Sequence, residues 1–271
     1  MKTVTSKDNP VLKSARKLLT RKGREEAGAF LVEGRKLISE AAIAGFEIEC
    51  VFVNAGALLR EEIAPGEGAA KSANDIALEE RIFCALEERL FCGLATTVSP
   101  QPYIAVARRP GRGDKEGRPE RVLVLDRIGD PGNAGTMIRT ALASGMDEVW
   151  CTKGTADVFS DKAIRASAGA VFHLKTVEGL SAPDCIEEAR DMGAKLVVCD
   201  AKGENVFGAG LTGRLAIVIG SESGGAAEGF STAADMVVGI PMAEASDSLN
   251  AATAAAVVMY EARRQGLASP R

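Results

Sequence analysis

Histidine is nearly missing from this chain of 271 residues, which has one, and aromatic residues make up only 4%. Its six cysteines, at 50, 84, 92, 151, 185 and 199, form no CxxC pair. With one imidazole and no cluster of ligands, a zinc site is not expected, and no metal is assigned. Cys50, Cys151 and Cys199 lie in or beside β-like runs, where a small buried thiol is the plain reading. No run approaches the roughly 18 uncharged apolar residues that a membrane helix needs. The alanine-rich stretch Ala251–Met259 is far too short. The opening Met1–Pro10 has no apolar core of the signal-peptide kind. A reducing cytoplasm is the expected location.

Excess positive charge is also lacking. The chain has 33 Lys and Arg against 37 Asp and Glu, a net charge of -4. That excludes a uniformly basic nucleic-acid binder but leaves room for a local basic surface. Residues 1–36 hold ten Lys and Arg and four acids, so this leader carries +6 and the rest of the chain -10. Such a leader reads either as a polyanion contact or as a solubilising helix face.

With 46% hydrophobic and 26% charged residues, the chain should be globular. The run Arg108–Arg121 is all charge, glycine and proline and cannot pack a core. It is read as a surface linker over residues 108–120, between a domain at 1–107 and another at 121–271. In the first domain, helical patterns at Pro10–Leu19, Glu33–Ala44 and Asp75–Glu88 alternate with strand-like runs at Cys50–Val53 and Tyr103–Ala107, a mixed α/β arrangement. In the second, strands are expected at Arg121–Leu125, Glu148–Cys151, Val171–Leu174, Lys195–Cys199, Arg214–Ile219 and Met236–Gly239. Helices are expected at Ala134–Ser144, Lys162–Ala168, Asp184–Met192 and Leu249–Arg263. Near-continuous apolar strands in a βαβα order make an α/β fold with an open parallel sheet, which binds ligands at the carboxyl ends of its strands.

Three loops follow such strand ends. The first runs from Asp126 to Arg139 and leads into a helix that Asn133 could cap. Thr136 and Arg139 share a face there, and an arginine near a helix start favours a negative group such as a phosphate. The second is Gly220-Ser221-Glu222-Ser223-Gly224-Gly225. It matches neither GxGxxG nor GxxxxGK[ST], and its glutamate would repel a pyrophosphate. An amine, hydroxyl or sulfonium fits better. The third runs from Ile240-Pro241-Met242 to Ser248-Leu249-Asn250, where Ser248 or Asn250 can cap an alanine-rich helix built for close packing. Each loop taken alone could be an ordinary junction.

Together these stretches resemble the SpoU (TrmH) family of RNA ribose 2′-O-methyltransferases, within the SPOUT superfamily. The matching signatures are Asp130-Pro131-x-Asn133-x-Gly135-x-x-x-Arg139, Ile217-x-Ile219-Gly220-Ser221-Glu222-x-x-Gly225 and Ile240-Pro241-Met242 through Ser248-Leu249-Asn250. The stretch Lys162–Phe172 is also similar, in the right order. In the first domain, Leu18–Arg24 and Phe30–Lys36 resemble the start of an L30e-like substrate-binding domain. Three positions depart from the pattern: Glu244 stands where the family usually has Gly, Asp247 where it often has Glu, and Ala226 where Leu is common.

The resemblance implies a deep C-terminal trefoil knot, a homodimer packed through the knotted domain, and S-adenosylmethionine as cofactor. It places that cofactor against Asp200, Ala201, Ile219, Gly220, Ile240, Met242 and Leu249. It implies Asn133, Arg139, Glu222, Ser248 and Asn250 as the catalytic set, and RNA held by the leader through Lys17, Arg21, Lys22, Arg24 and Arg35. The expected reaction is methyl transfer to a ribose 2′-hydroxyl, with 23S rRNA at a guanosine as preferred substrate and tRNA as runner-up. Arg139 has two roles open to it. One is the general base the family proposes. The other is a bidentate phosphate clamp that also stabilises a developing alkoxide. The rivals are an NAD-dependent oxidoreductase, which would need a glycine fingerprint at its strand end, and an RNA-binding scaffold without activity.

Overall fold

The computed structural model describes residues 3–59, 83–109, 118–243 and 248–268. Two compact units divide it: Met1–Gly111 with Phe159–Asp161, and Arg112–Val158 with Lys162–Arg271.

The first unit contains β1 (Thr3–Val4), α1 (Pro10–Lys17), α2 (Arg21–Ala27), β2 (Ala29–Glu33), α3 (Arg35–Ile43), β3 (Ile48–Asn54), α4 (Ala55–Leu59), β4 (Phe83–Leu86), α5 (Glu88–Cys92) and β5 (Tyr103–Arg108). Its sheet has the order β1-β4-β3-β5-β2, parallel through β3 and antiparallel beyond it. Asn9 starts α1 by accepting from the amides of Val11 and Leu12 at 3.0 and 3.2 Å, with Pro10 as the first helical residue. Leu12, Leu18, Leu31, Phe52, Leu86, Phe91 and Ile104 share one buried cluster. The helix expected from Glu33 begins only at Arg35, because Gly34 turns the chain at φ 97° after an unforeseen strand, β2. Residues 83–86 of the helix expected at Asp75–Glu88 form a strand instead, and its residues 75–82 lie outside the described ones. Positions 110–117 of the expected linker, Glu244 and Asp247 also lie outside them.

The second unit contains β6 (Arg121–Leu125), α6 (Pro131–Ser144), β7 (Glu148–Thr152), α7 (Asp161–Ala166), β8 (Lys175–Leu180), α8 (Ala182–Asp191), β9 (Lys195–Asn205), β10 (Leu215–Ile219), α9 (Glu228–Ala233), β11 (Met236–Gly239) and α10 (Ala251–Ala268). Six strands lie in the order β11-β9-β10-β6-β7-β8, all pairs parallel. β10 is buried along its whole length, as its Leu-Ala-Ile-Val-Ile run requires of a strand covered on both faces. The strand expected at Val171–Leu174 is instead a single 3-10 turn, Ala170–Phe172, and the strand follows it. Ala168 at φ 49° and Gly169 at φ 85° reverse the chain before that turn, so its apolar residues fill the core without pairing.

One polar network docks α10. Glu261 is buried, and its carboxylate accepts from Arg264 Nη2 and Nε at 2.7 and 2.8 Å and from Gln265 Nε2 at 2.7 Å. Gln265 in turn donates to the Ala209 carbonyl and accepts from the Leu211 amide, both at 2.8 Å. The Arg264 guanidinium and then the Gln265 amide hold the Glu261 carboxyl down to about 2. A depressed carboxyl stabilises the fold above its unfolded range, roughly 4.3, and that share is lost as pH falls through the folded value. E261Q should therefore cost about 2 kcal/mol at neutral pH, since charge-assisted bonds are lost. Urea denaturation of both proteins along a pH series should show the gap closing on acidification. A gap independent of pH would contradict this account.

Candidate active site

Parallel pairing sets the strand ends level. Ile219 of β10 is opposite Leu125 of β6 and Cys199 of β9, so the chain leaves the sheet at Asp126 and Gly220, level with Asp200, where β9 stops pairing with β10. Asp126 is 2% exposed. Its Oδ1 accepts from the Thr152 hydroxyl at 2.8 Å, and its Oδ2 from the Ala227 amide at 2.8 Å and Arg127 Nε at 3.1 Å. One carboxylate thus joins the loop after β6, the last residue of β7 and the loop after β10.

The first loop enters α6 at Pro131. Asp130 caps the helix by accepting from the Asn133 amide at 2.9 Å. This corrects the expectation that Asn133 is the cap: it stands one turn inside, with its side chain free for the neighbouring loops. Lys162, by its bond to Asp130, and then the Asn133 amide hold the Asp130 carboxyl below the usual aspartate range. Asn133 Nδ2 donates to Glu222 Oε1. Asn133 Oδ1 accepts from Asn250 Nδ2 at 3.2 Å. Asn250 Oδ1 accepts from the amides of Ala252 and Thr253 at 2.9 and 3.3 Å, so Asn250 and not Ser248 starts α10. Asn133, Glu222 and Asn250 therefore form one hydrogen-bonded chain across all three loops.

Arg139 and Ser248 are not part of it. Arg139 lies more than two turns into α6, exposed, with no hydrogen bond or ion pair among the described residues. The helix-start argument for an anion there is correspondingly weak, because the dipole acts only within the first turn. Thr136 donates its hydroxyl to the Gly132 carbonyl at 2.8 Å and is used within the helix. Ser248 is exposed beside the start of α10.

The residues expected around a cofactor gather at the same edge. Gly220 is buried where no side chain fits: a Cβ there would lie 2.0 Å from the Gly225 carbonyl carbon and the Ala226 nitrogen. Ser221 and Gly225 close the turn with paired backbone bonds of 3.1 and 2.9 Å, Gly225 at φ 62°. Ile219 is buried, Ile240 and Met242 are half-buried, and Leu249 is exposed. Asp200 and Ala201 sit where β9 departs from regular pairing with β11, whose register jumps between Val237 opposite Val198 and Val238 opposite Glu204. Gly239 packs there on the carbonyls of Asp200, Gly203 and Ala201. Open apolar walls beside two exposed acids, Asp200 and Glu222, suit a ligand with an apolar body and a positive centre. Gly208–Gly213 spells GxGxxG but lies between a 3-10 turn and β10 rather than between a strand and a helix, so the dinucleotide context is missing. Among the described residues, no three His, Cys, Asp or Glu side chains converge on a metal position.

Of the expected RNA contacts, Lys17, Arg21, Lys22 and Arg35 are exposed. Arg24 is not. It is 8% exposed and its Nη1 donates to the Leu18 carbonyl at 2.8 Å, so it ties α2 to the end of α1. Its charge counted towards the leader, but its neighbours on α2 turn it inward. Arg21 pairs with Glu25 at 2.7 Å and Lys22 with Glu26 at 3.7 Å. No sequence pattern assigns a role to Arg127 or Thr152, and Asp126 only opens the first loop. The available signal is an aspartate directly after the apolar run Val122–Leu125.

Comparison with known proteins bears on both units. The SpoU rRNA Methylase family model matches residues 120–260. The MRM3-like substrate binding domain matches residues 9–105. The chain is 31% identical to the 23S rRNA (guanosine(2553)-2'-O)-methyltransferase RlmP of Bacillus subtilis (strain 168), over 97% of this chain and 100% of that protein. It is similar to the crystal structure of the SpoU methyltransferase AviRb from Streptomyces viridochromogenes in complex with AdoMet, at TM-score 0.81 and 30% identity, covering 97% of this chain and 100% of that one. The AdoMet-bound rRNA methyltransferase from Sinorhizobium meliloti matches at TM-score 0.81 and 27% identity, covering 97% of each chain.

The tightest steric demand at this edge is Gly220. G220A forces backbone to move, because the nearest atoms are the Gly225 and Ala226 main chain. It should destabilise the chain by about 2–3 kcal/mol in urea unfolding, the range for overpacked buried sites. A loss within experimental error would mean that the turn is looser than described.

Proposed function

The chain belongs to the SpoU rRNA Methylase family, and on that premise we propose that it transfers a methyl group from S-adenosylmethionine to a ribose 2′-hydroxyl of 23S rRNA, at a guanosine. The observation that carries this reading is the chain Asn250–Asn133–Glu222, which binds the three strand-end loops together on the helix that bears Arg139, an arginine with no partner among the described residues. A decayed scaffold would have no need to keep these groups in register. The match to RlmP over its full length supports the guanosine. A Streptomyces viridochromogenes relative is named for uridine(2479) of 23S rRNA, at 37% identity over about half of each chain.

S-adenosylmethionine, when bound, supplies a methyl group on a positively charged sulfur. Gly220 gives it close backbone approach, Ile219, Ile240, Met242 and Leu249 give it apolar walls, and Asp200 and Ala201 give it polar backbone at the neighbouring strand end. Exposed Asp200 and Glu222 favour its positive charge. Asn133, Glu222 and Asn250 keep these walls and α6 in register. Ser248 orients the phosphate or ribose hydroxyl. Arg139 meets the substrate, either by taking the proton of the 2′-hydroxyl or by clamping a phosphate and stabilising the alkoxide.

The same reading gives residues 1–107 the task of holding RNA, residues 108–120 that of a linker and residues 121–271 that of catalysis. It carries the trefoil knot and a homodimer through the knotted domain, as the resemblance to the family implies. A cytoplasmic site of action is part of it. No helix among the described residues is long and apolar enough to cross a membrane. Mapping 2′-O-methylation in rRNA and tRNA from cells lacking the gene tests the substrate. Loss confined to tRNA would overturn the rRNA assignment, and loss at a uridine would overturn the guanosine.

Three variants test the chemistry and the leader. R139A should keep its fold and cofactor affinity and lose turnover by at least about a hundredfold, the usual size of a lost base or transition-state charge. Single-turnover methyl transfer by R139K across a pH series separates the two roles. A base predicts activity that climbs with pH, whereas a clamp predicts a partial, flat profile because lysine cannot reproduce the fork. Near-wild-type turnover in R139A would remove Arg139 from both. K17E/K22E, at exposed positions of the leader, should raise the KM for RNA about tenfold at low salt without changing cofactor affinity. Unchanged RNA affinity would refute that role of the leader.

A further inference from the structure

Arg127 is one of two described non-glycine residues with a left-handed backbone, at φ 56°. Such a conformation is disfavoured for a long side chain and persists where its surroundings hold it. The side chain of Arg127 shows what holds it. Its stem lies against Gly154, where a Cβ would come within 3.3 Å of Arg127 Cγ. Its guanidinium meets Asp126 Oδ2 through Nε and Nη2, both at 3.1 Å. Nη2 also donates to the Gly225 carbonyl at 3.1 Å. That carbonyl already accepts from the Ser221 amide, so Arg127 grips the closure of the Ser221–Gly225 turn. The backbone amide of Arg127 donates to Thr152 Oγ1 at 3.1 Å, fixing the other end of the residue. Glu222 projects from the gripped turn to Asn133.

We propose that Arg127 is a positioning residue: it fixes the Ser221–Gly225 turn so that Gly220 can receive the cofactor and Glu222 can hold Asn133. This rests on the methyltransferase reading. Arg127 touches neither the cofactor walls nor Arg139 directly, and it acts through Gly225. The left-handed backbone is what lets a residue adjacent to Asp126 in sequence turn back over it and still reach a loop 98 residues away.

The test uses R127A and R127K in the full chain, with amide hydrogen exchange as a readout independent of activity. In R127A the amides of Ser221, Gly225 and Ala227 should exchange about tenfold faster, the effect of one lost charge-assisted bond. Amides within β6 and β10 should be unchanged. The KM for S-adenosylmethionine should rise about tenfold while saturating single-turnover rates fall by a smaller factor. R127K keeps the charge but not the fork, so both readouts should lie between wild type and R127A. If R127A does not fold, the exchange and KM of R127K decide alone. Unchanged exchange at Ser221 and Gly225, or exchange loosened equally across the sheet, would overturn the proposal. A wild-type protein that transfers no methyl group would sink the methyltransferase reading while leaving the exchange result to stand for the turn.

Discussion

A carboxylate has two oxygens and about four lone-pair directions, and burying it without partners is costly. Asp126 fills those directions from three strand ends: the Thr152 hydroxyl closing β7, the Ala227 amide after β10 and the Arg127 guanidinium after β6. Its own amide is spent on the Ile219 carbonyl of the next strand at 2.9 Å. The charge can stay buried because every donor around it is fixed by backbone that the sheet positions. In turn, none of those loops needs a core of its own. The strand-end edge is therefore held by polar bonds where the sheet below is held by apolar packing.

Close backbone approach is the second constraint, and it explains the composition. A Cβ at Gly135 would meet the Ala163 carbonyl at 2.4 Å, so α6 and α7 touch at a glycine. A Cβ at Gly203 would meet the Val238 carbonyl carbon at 2.4 Å, where β9 and β11 resume pairing after their register jump. Ala255 and Ala262 of α10 are fully buried, where leucines would hold the helix away from its neighbours. Small residues thus mark places where main chain meets main chain.

Periodicity and strand-end chemistry made much of this visible in advance. β6 and β10 were legible because both their faces are buried, which leaves a nearly uninterrupted apolar run. The three loops were legible because glycine, proline and asparagine follow those runs. The Val171–Phe172 segment misled for the same reason: an apolar run of two or three residues does not distinguish a buried turn from a strand. β2 was hidden by the glutamate at its end. Glu33 is nevertheless 8% exposed, accepting from the Gln101 and Thr96 amides at 3.1 and 3.3 Å. Arg24 misled because a charge count does not say which way a side chain faces. The partners of Asp126 lie 26 and 101 residues away, a long-range fact that no local pattern holds.

The division of polar groups at the edge bears on how the site could work. Asp126, Asp130, Asn133, Glu222 and Asn250 all spend their side chains on one another, on Thr152, Arg127 or Lys162, or on backbone. Groups so committed resist reorientation when a ligand arrives, which is the preorganisation that electrostatic catalysis requires. They are also poor candidates for proton transfer, since moving a proton would break bonds that hold the loops. Arg139 and Ser248 differ: both are exposed and outside the network. A fixed frame with two uncommitted polar groups is the arrangement expected when the frame sets the geometry and the substrate completes the site. On the proposed reading, the RNA phosphate supplies the partner that Arg139 lacks among the described residues, so the arginine reaches its working position only when the correct polymer is bound.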